Sequence, residues 1–126
     1  MPISTTTEIA APAARVWSIL IDTEAWPIWG PSLNRVESSG RFIAVGSRGR
    51  VRTALGIWLP FEVLQFADGR YWSWKVAGIP ATGHRVEPLG VDGCRLSFDV
   101  PVLAAPYLVV CTAACRRIRT MAEAAA

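Results

Sequence analysis

His84 is the single histidine of the chain, and its position indicates a group that could move protons beside an apolar surface. Side chains alternate between the faces of a strand, so His84 shares a face with Thr82 and Val86 and opposes Arg85 and Glu87. Imidazole suits proton transfer near neutral pH, as an enolising or aldol cyclisation requires. We therefore take His84 as the candidate general acid or base. The favoured alternative, since no carboxylate shares that face, is a buried histidine satisfied by a hydroxyl or carbonyl.

Six tryptophans supply large apolar rings, each with one N–H donor. Trp72 and Trp74 alternate along a strand and therefore point to the same face. Trp26 and Trp29 lie in a short proline-containing segment, and we expect them near the mouth of a pocket. Filling the core is an equally good interpretation for any one of these rings. Taken together they favour a cavity, because aromatic side chains commonly line ligand pockets.

The remaining predicted ligand contacts come from the last strand and the final helix. Phe98 lies on the apolar face of its strand, and Tyr107 begins a helical stripe spaced by three and four residues. The Tyr107 hydroxyl could reach the pocket, although core packing with a hydrogen-bonded tip is the favoured interpretation. The predicted ligand-binding residues are Trp26, Trp29, Trp72, Trp74, His84, Phe98, Tyr107, Ala114 and Ile118.

No other grouping of residue types indicates a reactive site. The sequence has no His/Cys/carboxylate cluster with metal-ligand spacing, no glycine-rich phosphate loop and no Ser or Cys with a plausible base, so we expect neither metal nor cofactor. Arg48, Arg50 and Arg52 form the densest basic cluster and line one face of a strand. Because no aromatic residue interleaves on that face, we expect no nucleic-acid partner.

The composition describes a mildly basic chain with more apolar side chain than a globule of its size usually needs. Of 126 residues, 52% are hydrophobic and 18% charged, with a net charge of +3, so we expect some apolar residues to face a ligand. The longest uncharged run, Val100 to Cys115, contains prolines and is shorter than the about 20 residues that span a bilayer. An odd number of cysteines and an N-terminus without basic or apolar leader predict a cytoplasmic protein.

The first third of the chain predicts one strand and two short helices. Residues 3 to 10 alternate between apolar and polar side chains, which is typical of a strand with one buried face. Pro12 then suits the start of a short helix over residues 13 to 21. A second helix beginning near Glu24 must be brief because prolines follow it closely.

The rest of the chain predicts about six strands and one long helix. From Leu33 to Val100 the periodicity is two, interrupted by glycine-containing turns. A helix follows over residues 107 to 124, and its apolar stripe is predicted to face the sheet. The first half of this helix is also apolar on its other side, through Leu108 and Val109, so we expect a second neighbour there.

This order of elements, with its local motifs, resembles the START-related lipid-transfer and polyketide cyclase superfamily (SRPBCC). Four runs carry the resemblance across nearly the whole chain: IAAPAARVW at 9–17, WPIW at 26–29, YWSW at 71–74 and GCRL at 93–96. The resemblance implies an α+β helix-grip fold, with a curved antiparallel sheet of about seven strands wrapped around the long C-terminal helix. It also implies one START-like ligand-binding domain over residues 1–126.

Members of this superfamily use the space between sheet and helix for lipids, sterols, quinones, plant hormones or aromatic polyketides, and some are enzymes. We therefore expect a carrier or sensor that binds a hydrophobic, lipid-like or aromatic small molecule. One alternative is a polyketide cyclase or dehydratase-like enzyme that uses His84. Another is a dimeric or membrane-surface interaction protein that uses the doubly apolar start of the last helix.

Overall fold

The computed structural model describes residues 2–124 of the chain. The elements are β1 (Pro2–Ile9), α1 (Ala13–Ile21), α2 (Trp26–Trp29), β2 (Leu33–Ser38), β3 (Arg48–Thr53), β4 (Trp58–Ala67), β5 (Tyr71–Val76), β6 (Ile79–Pro88), β7 (Cys94–Pro101), a 3₁₀ segment (Val102–Tyr107) and α3 (Leu108–Ala124).

The strands form one antiparallel sheet in the order β1-β7-β6-β5-β4-β3-β2, so β1 and β2 are its edges. The curved sheet wraps around α3, and this architecture confirms the predicted α+β helix-grip fold with seven strands and two short helices. The alternation of side chains along the strands produces this architecture. Every second residue of β1 from Ile3 is at least half-buried, and β6 buries Thr82, His84 and Val86. The inner face of the sheet is thus apolar, and the outer face carries the charges.

Helix α2 is brief, as predicted, and begins at Trp26 rather than near Glu24. The polar residues before it do not cap it: Asp22 Oδ1 accepts a hydrogen bond from the Glu24 amide, and the Thr23 hydroxyl donates to the Arg41 carbonyl. Only one turn remains before Gly30. A side chain is excluded at Gly30 because a Cβ there would lie 2.8 Å from the Trp26 carbonyl oxygen.

Helix α3 begins at Leu108, so Tyr107 lies in the preceding 3₁₀ segment instead of starting the helix. Pro106 has no amide hydrogen to donate, and Ala104 departs from helical geometry (φ −103°, ψ 24°), so a continuous helix cannot form through this segment. The predicted stripe otherwise holds, with Cys111, Ala114 and Ile118 buried. Among residues 2–124, no helix is both long and apolar enough to cross a bilayer.

Candidate ligand site

Three strands place an aromatic row on the inner face of the sheet. Trp72 on β5 lies directly opposite His84 on β6, which in turn lies opposite Phe98 on β7. The His84 ring stacks on Trp72 with centroids 3.9 Å apart, and the Phe98 ring meets it edge-on at 4.6 Å. The strand alternation in the sequence therefore identified the correct face for all three residues.

Trp26 fills the space above this row. Its ring is parallel to Trp72, at an angle of 7° and a centroid distance of 5.4 Å, and it contacts the edges of Trp74 and Phe61. The side chain is fully buried, so the prediction that Trp26 lies at the mouth of a pocket is wrong. Sequence reasoning treated the tryptophans as the walls of a cavity, whereas this ring occupies the interior.

Hydrogen bonds to α1 explain why the rings of α2 turn inward. Trp26 Nε1 donates to the Leu20 carbonyl at 2.9 Å, and Trp29 Nε1 donates to the Ile19 carbonyl at 3.3 Å. Both carbonyls belong to the last turn of α1, where backbone oxygens have no partner within the helix. The two indoles therefore satisfy the C-terminal end of α1 while burying their rings against the sheet.

His84 is held by a chain of hydrogen bonds that fixes its tautomer. His84 Nδ1 lies 3.1 Å from the Trp72 carbonyl oxygen, which can only accept, so Nδ1 carries the proton. The Thr82 hydroxyl, 2.8 Å from Nε2, donates to it and itself accepts from Trp74 Nε1 at 2.9 Å. Both ring nitrogens are thus occupied within the protein.

Burial lowers the pKa of His84 to about 3, opposed only by its hydrogen bond to the Trp72 carbonyl. The imidazole is therefore neutral at physiological pH and holds no extra proton to donate. The nearby thiols are also unreactive: burial raises the pKa of Cys111 to about 11 and that of Cys115 to about 12, so neither is a thiolate.

The space left between the sheet and α3 has a volume of about 30 Å³. This is enough for roughly one or two water molecules, whereas ligand pockets commonly measure about 300 to 1,000 Å³. The lining residues are Trp26, Trp29, Gly30, Pro31, Ser32, Leu33, Trp72, Trp74, Thr82, His84, Phe98, Tyr107, Val110, Cys111 and Ala114. The aromatic rings thus occupy most of the volume in which we predicted a ligand from the sequence.

Eight of the nine predicted ligand-binding residues line this space together. Ile118 does not, although it is fully buried, because it lies one helical turn beyond Ala114. The sequence placed Thr82 on the face of His84 but did not identify it as a site residue. Ser32 was missed, because no sequence signal places it against Tyr107.

Two polar groups distinguish this space from ordinary core. Trp72 Nε1 is a buried donor with no acceptor among residues 2–124, and an unpaired buried donor costs about 1–3 kcal/mol. At the surface the Tyr107 hydroxyl lies 2.7 Å from the Ser32 hydroxyl. Burial raises the pKa of Tyr107, which stays protonated.

No group of three or more potential metal-ligating side chains occurs in the part of the chain described.

Comparison with known proteins places the chain among proteins of this architecture. Over residues 2–125 the sequence matches the family described as polyketide cyclase / dehydrase and lipid transport. A search of curated proteins finds no match.

Several solved structures are similar in fold. A START superfamily protein from Mycobacterium smegmatis superposes with a TM-score of 0.74 at 21% identity, covering 99% of both chains. The Zhui aromatase/cyclase from Streptomyces sp. R1128 gives 0.73 at 16%, covering 98% of this chain and 93% of the other. Norcoclaurine synthase from Thalictrum flavum, in complex with dopamine and hydroxybenzaldehyde, gives 0.65 at 15%, covering 96% and 85%. These likenesses confirm the START-related fold.

Proposed function

Because the chain belongs to the polyketide cyclase / dehydrase and lipid transport family, we propose that residues 1–126 act as one START-like domain that binds a small hydrophobic molecule between the sheet and α3. The observation that carries this proposal is the aromatic row of Trp72, His84 and Phe98, which Trp26 covers in part and which borders the residual space beside α3. We assign the protein the role of a carrier or sensor.

The mouth of the proposed site is the layer formed by Tyr107, Ser32 and Pro31. Tyr107 is 40% exposed and is held by its hydroxyl contact with Ser32. An exposed hydrogen bond is worth little in water, about 1 kcal/mol, so this layer can open at small cost. Opening it gives a ligand access to Trp29 and Phe98, whose rings meet edge-on at 5.7 Å.

The unpaired donor of Trp72 suggests one chemical feature of the ligand. A hydrogen-bond acceptor that reached Trp72 Nε1 would satisfy a group that the protein leaves unsatisfied. We therefore propose a flat, mostly apolar molecule with a carbonyl, ether or similar oxygen. Its ring would stack or lie edge-on against the aromatic row.

The geometry around His84 favours binding over catalysis. A general acid or base must reach the substrate with a free nitrogen, and both nitrogens of His84 are engaged by Thr82 and Trp72. A pKa of about 3 also removes its ability to donate a proton at neutral pH. We assign His84 the task of holding the Trp72 and Trp74 rings in position.

Ligand binding is tested with a panel of single-ring and fused-ring aromatic ketones, phenols and fatty acids, followed by tryptophan emission and melting temperature. The blocking variant is Val110→Phe, because Val110 lines the residual space. The matched control is Val109→Phe, since Val109 is the next residue of α3 and is 76% exposed. We expect a compound to shift both signals in the wild type and the control but not in Val110→Phe. Absence of any shift, or equal shifts in both variants, would overturn the proposal.

A further inference from the structure

One end of the sheet gathers the segment before β2, the β3–β4 turn, the β5–β6 turn and the segment after β7, and two of these also form the mouth of the proposed site. Because all neighbouring strands are antiparallel, β3, β5 and β7 end where β2, β4 and β6 begin. Two contacts tie three of these segments together: the Ala54 amide donates to the Ser32 carbonyl at 3.0 Å, and the Ser32 hydroxyl lies 2.7 Å from that of Tyr107. The β3–β4 turn therefore lies close to the 3₁₀ segment that leads into α3.

Large apolar side chains project from these loops into solvent. Leu103 is 97% exposed and Leu55 is 86% exposed. Single exposed apolar residues are ordinary on protein surfaces, but several on neighbouring loops form an interaction patch. We call this patch the apolar end, and it consists of Leu55, Ile57, Ile79, Val102, Leu103 and Val109.

The apolar end is bordered by cations. The stretches 31–36, 51–61, 69–86 and 100–122 contain neither Asp nor Glu. Asp99, which lines a groove with Val102 and Leu103, is paired with Arg85 at 3.6 Å. Arg35 on β2 lies directly opposite Arg52 on β3, and neither makes an ion pair within residues 2–124. Like charges that face each other across two strands destabilise a sheet. An anionic surface would relieve this repulsion.

Trp58 corrects the expectation that no aromatic residue interleaves with the strand arginines. It lies opposite Arg52, and the Arg50 guanidinium stacks over its ring at 4.2 Å from the centroid. Tryptophan and arginine side chains of this kind are enriched where a protein meets the boundary between lipid headgroups and acyl chains.

The opposite end of the sheet lacks this combination. Its loops also expose apolar residues, Val45 and Val91 among them, and Val91 is as exposed as Leu55 at 86%. Acidic residues accompany them, however, because Asp92 adjoins Val91, Asp68 lies in the β4–β5 turn and Glu123 lies near the end of α3. Arginines also lie at this end, but Arg41 is paired with Asp22 and Glu24, and Arg48 is paired with Glu62. Less of the cationic charge there is therefore available to an anionic surface.

We propose that the apolar end docks on an anionic lipid bilayer. Leu55 and Leu103 enter the acyl boundary, and Arg35 and Arg52 contact headgroup phosphates. Docking does not require a bound ligand, so it goes beyond the proposed function and can be tested separately. If the proposed function also holds, the Tyr107–Ser32 mouth lies at the docked end, and a hydrophobic ligand could pass between bilayer and protein without crossing water.

The test is cosedimentation of the ligand-free protein with vesicles of phosphatidylcholine alone or mixed equally with phosphatidylglycerol. We expect binding to the anionic vesicles only, and weaker binding at high salt. Leu55→Asp/Leu103→Asp should weaken binding by at least about ten-fold, since each change removes apolar burial and adds repulsion. The matched control is Val45→Asp/Val91→Asp, which adds the same charges at the opposite end and should retain most of the binding.

Arg35→Gln/Arg52→Gln tests the charge without touching the apolar side chains, and it should abolish the difference between the two vesicle types. The proposal is overturned if the wild type binds neither vesicle, or if both aspartate variants lose binding equally. It is also overturned if the wild type is a dimer that Leu103→Asp dissociates while vesicle binding is unchanged, because the apolar end would then pair with a second copy.

Discussion

The two halves of α3 carry one continuous apolar stripe but serve different purposes. In the first half, residues 108–114, Val110, Cys111 and Ala114 face the residual space beneath the aromatic row. In the second half, residues 115–124, Cys115, Ile118 and Ala122 are buried and line no such space. Trp26 and Trp29 of α2 border the same space as the first half. A helical stripe therefore identifies a buried face, but what lies opposite each turn decides whether that face is core or site.

The surroundings of the second half are those of a fixed structural element. Arg15 Nη1 donates to the Ala122 carbonyl at 3.1 Å, and Glu123 accepts from the Ala10 amide at 2.9 Å. The latter contact lowers the pKa of Glu123, as does nearby Arg119. In the first half, the Thr112 hydroxyl lies 3.2 Å from that of Thr5 on β1. The second half thus anchors α3 to α1 and to the end of β1, whereas the first half contacts β1 and also borders the residual space.

The two halves of α3 should differ most in the free energy of unfolding that is lost when one of their side chains is truncated. Ile118→Ala should lower the free energy of unfolding by about 2–5 kcal/mol, because Ile118 is fully buried and a cavity would remain. Val110→Ala should cost less than half as much, since Val110 is only half-buried and already borders free space. Urea denaturation measures both values. A larger loss from Val110→Ala would contradict the division of α3.

Acid should destabilise the protein through His84, the titratable residue of the aromatic row. The pKa of His84 is about 3 in the folded chain, below the ordinary histidine value of 6.5, so between these values the unfolded chain binds a proton that the folded chain does not. Stability is therefore fully present above pH 6.5 and falls by up to about 1.4 kcal/mol per pH unit down to about pH 3.

The His84→Gln variant isolates this effect between about pH 5.5 and 6.5. This window lies above the range where Asp22 and Glu62, whose folded pKa values are lowered by arginine and lysine partners, begin to protonate in the unfolded chain. The stability of the variant should be flat there, as measured by denaturation at several pH values. If the wild type is equally flat, His84 is not buried as the structure describes.

A smaller effect is expected from the hydrogen-bond chain beside the residual space. Thr82→Val keeps the shape of the side chain but leaves Trp74 Nε1 and His84 Nε2 without their partner. The expected loss of unfolding free energy is about 1–3 kcal/mol. Thr82→Ser retains the hydroxyl and should lose less. A loss from Thr82→Ser as large as that from Thr82→Val would contradict a dominant role for the hydroxyl.

Much of the fold followed from the sequence, because alternation and helical spacing report directly on which face is buried. Alternation placed Trp72, His84 and Phe98 on one face, and prolines set the limits of the short helices. The sequence did not predict that tryptophan rings fill most of the space between the sheet and α3. That filling depends on the hydrogen bond from Trp26 to the Leu20 carbonyl, and a one-turn helix has too few residues for the sequence to indicate its buried face. The position of Tyr107 outside α3 likewise depends on the local 3₁₀ geometry.

The most direct test of ligand binding beside the first half of α3 is native mass spectrometry of the protein purified from its own host. We expect the wild type to carry a small-molecule adduct that disappears on denaturation and to retain it in the control variant Val109→Phe. The Val110→Phe variant should carry none, because its ring fills the space that Val110 borders. An unliganded wild type, or the same adduct on both variants, would contradict a hydrophobic ligand site between the sheet and α3.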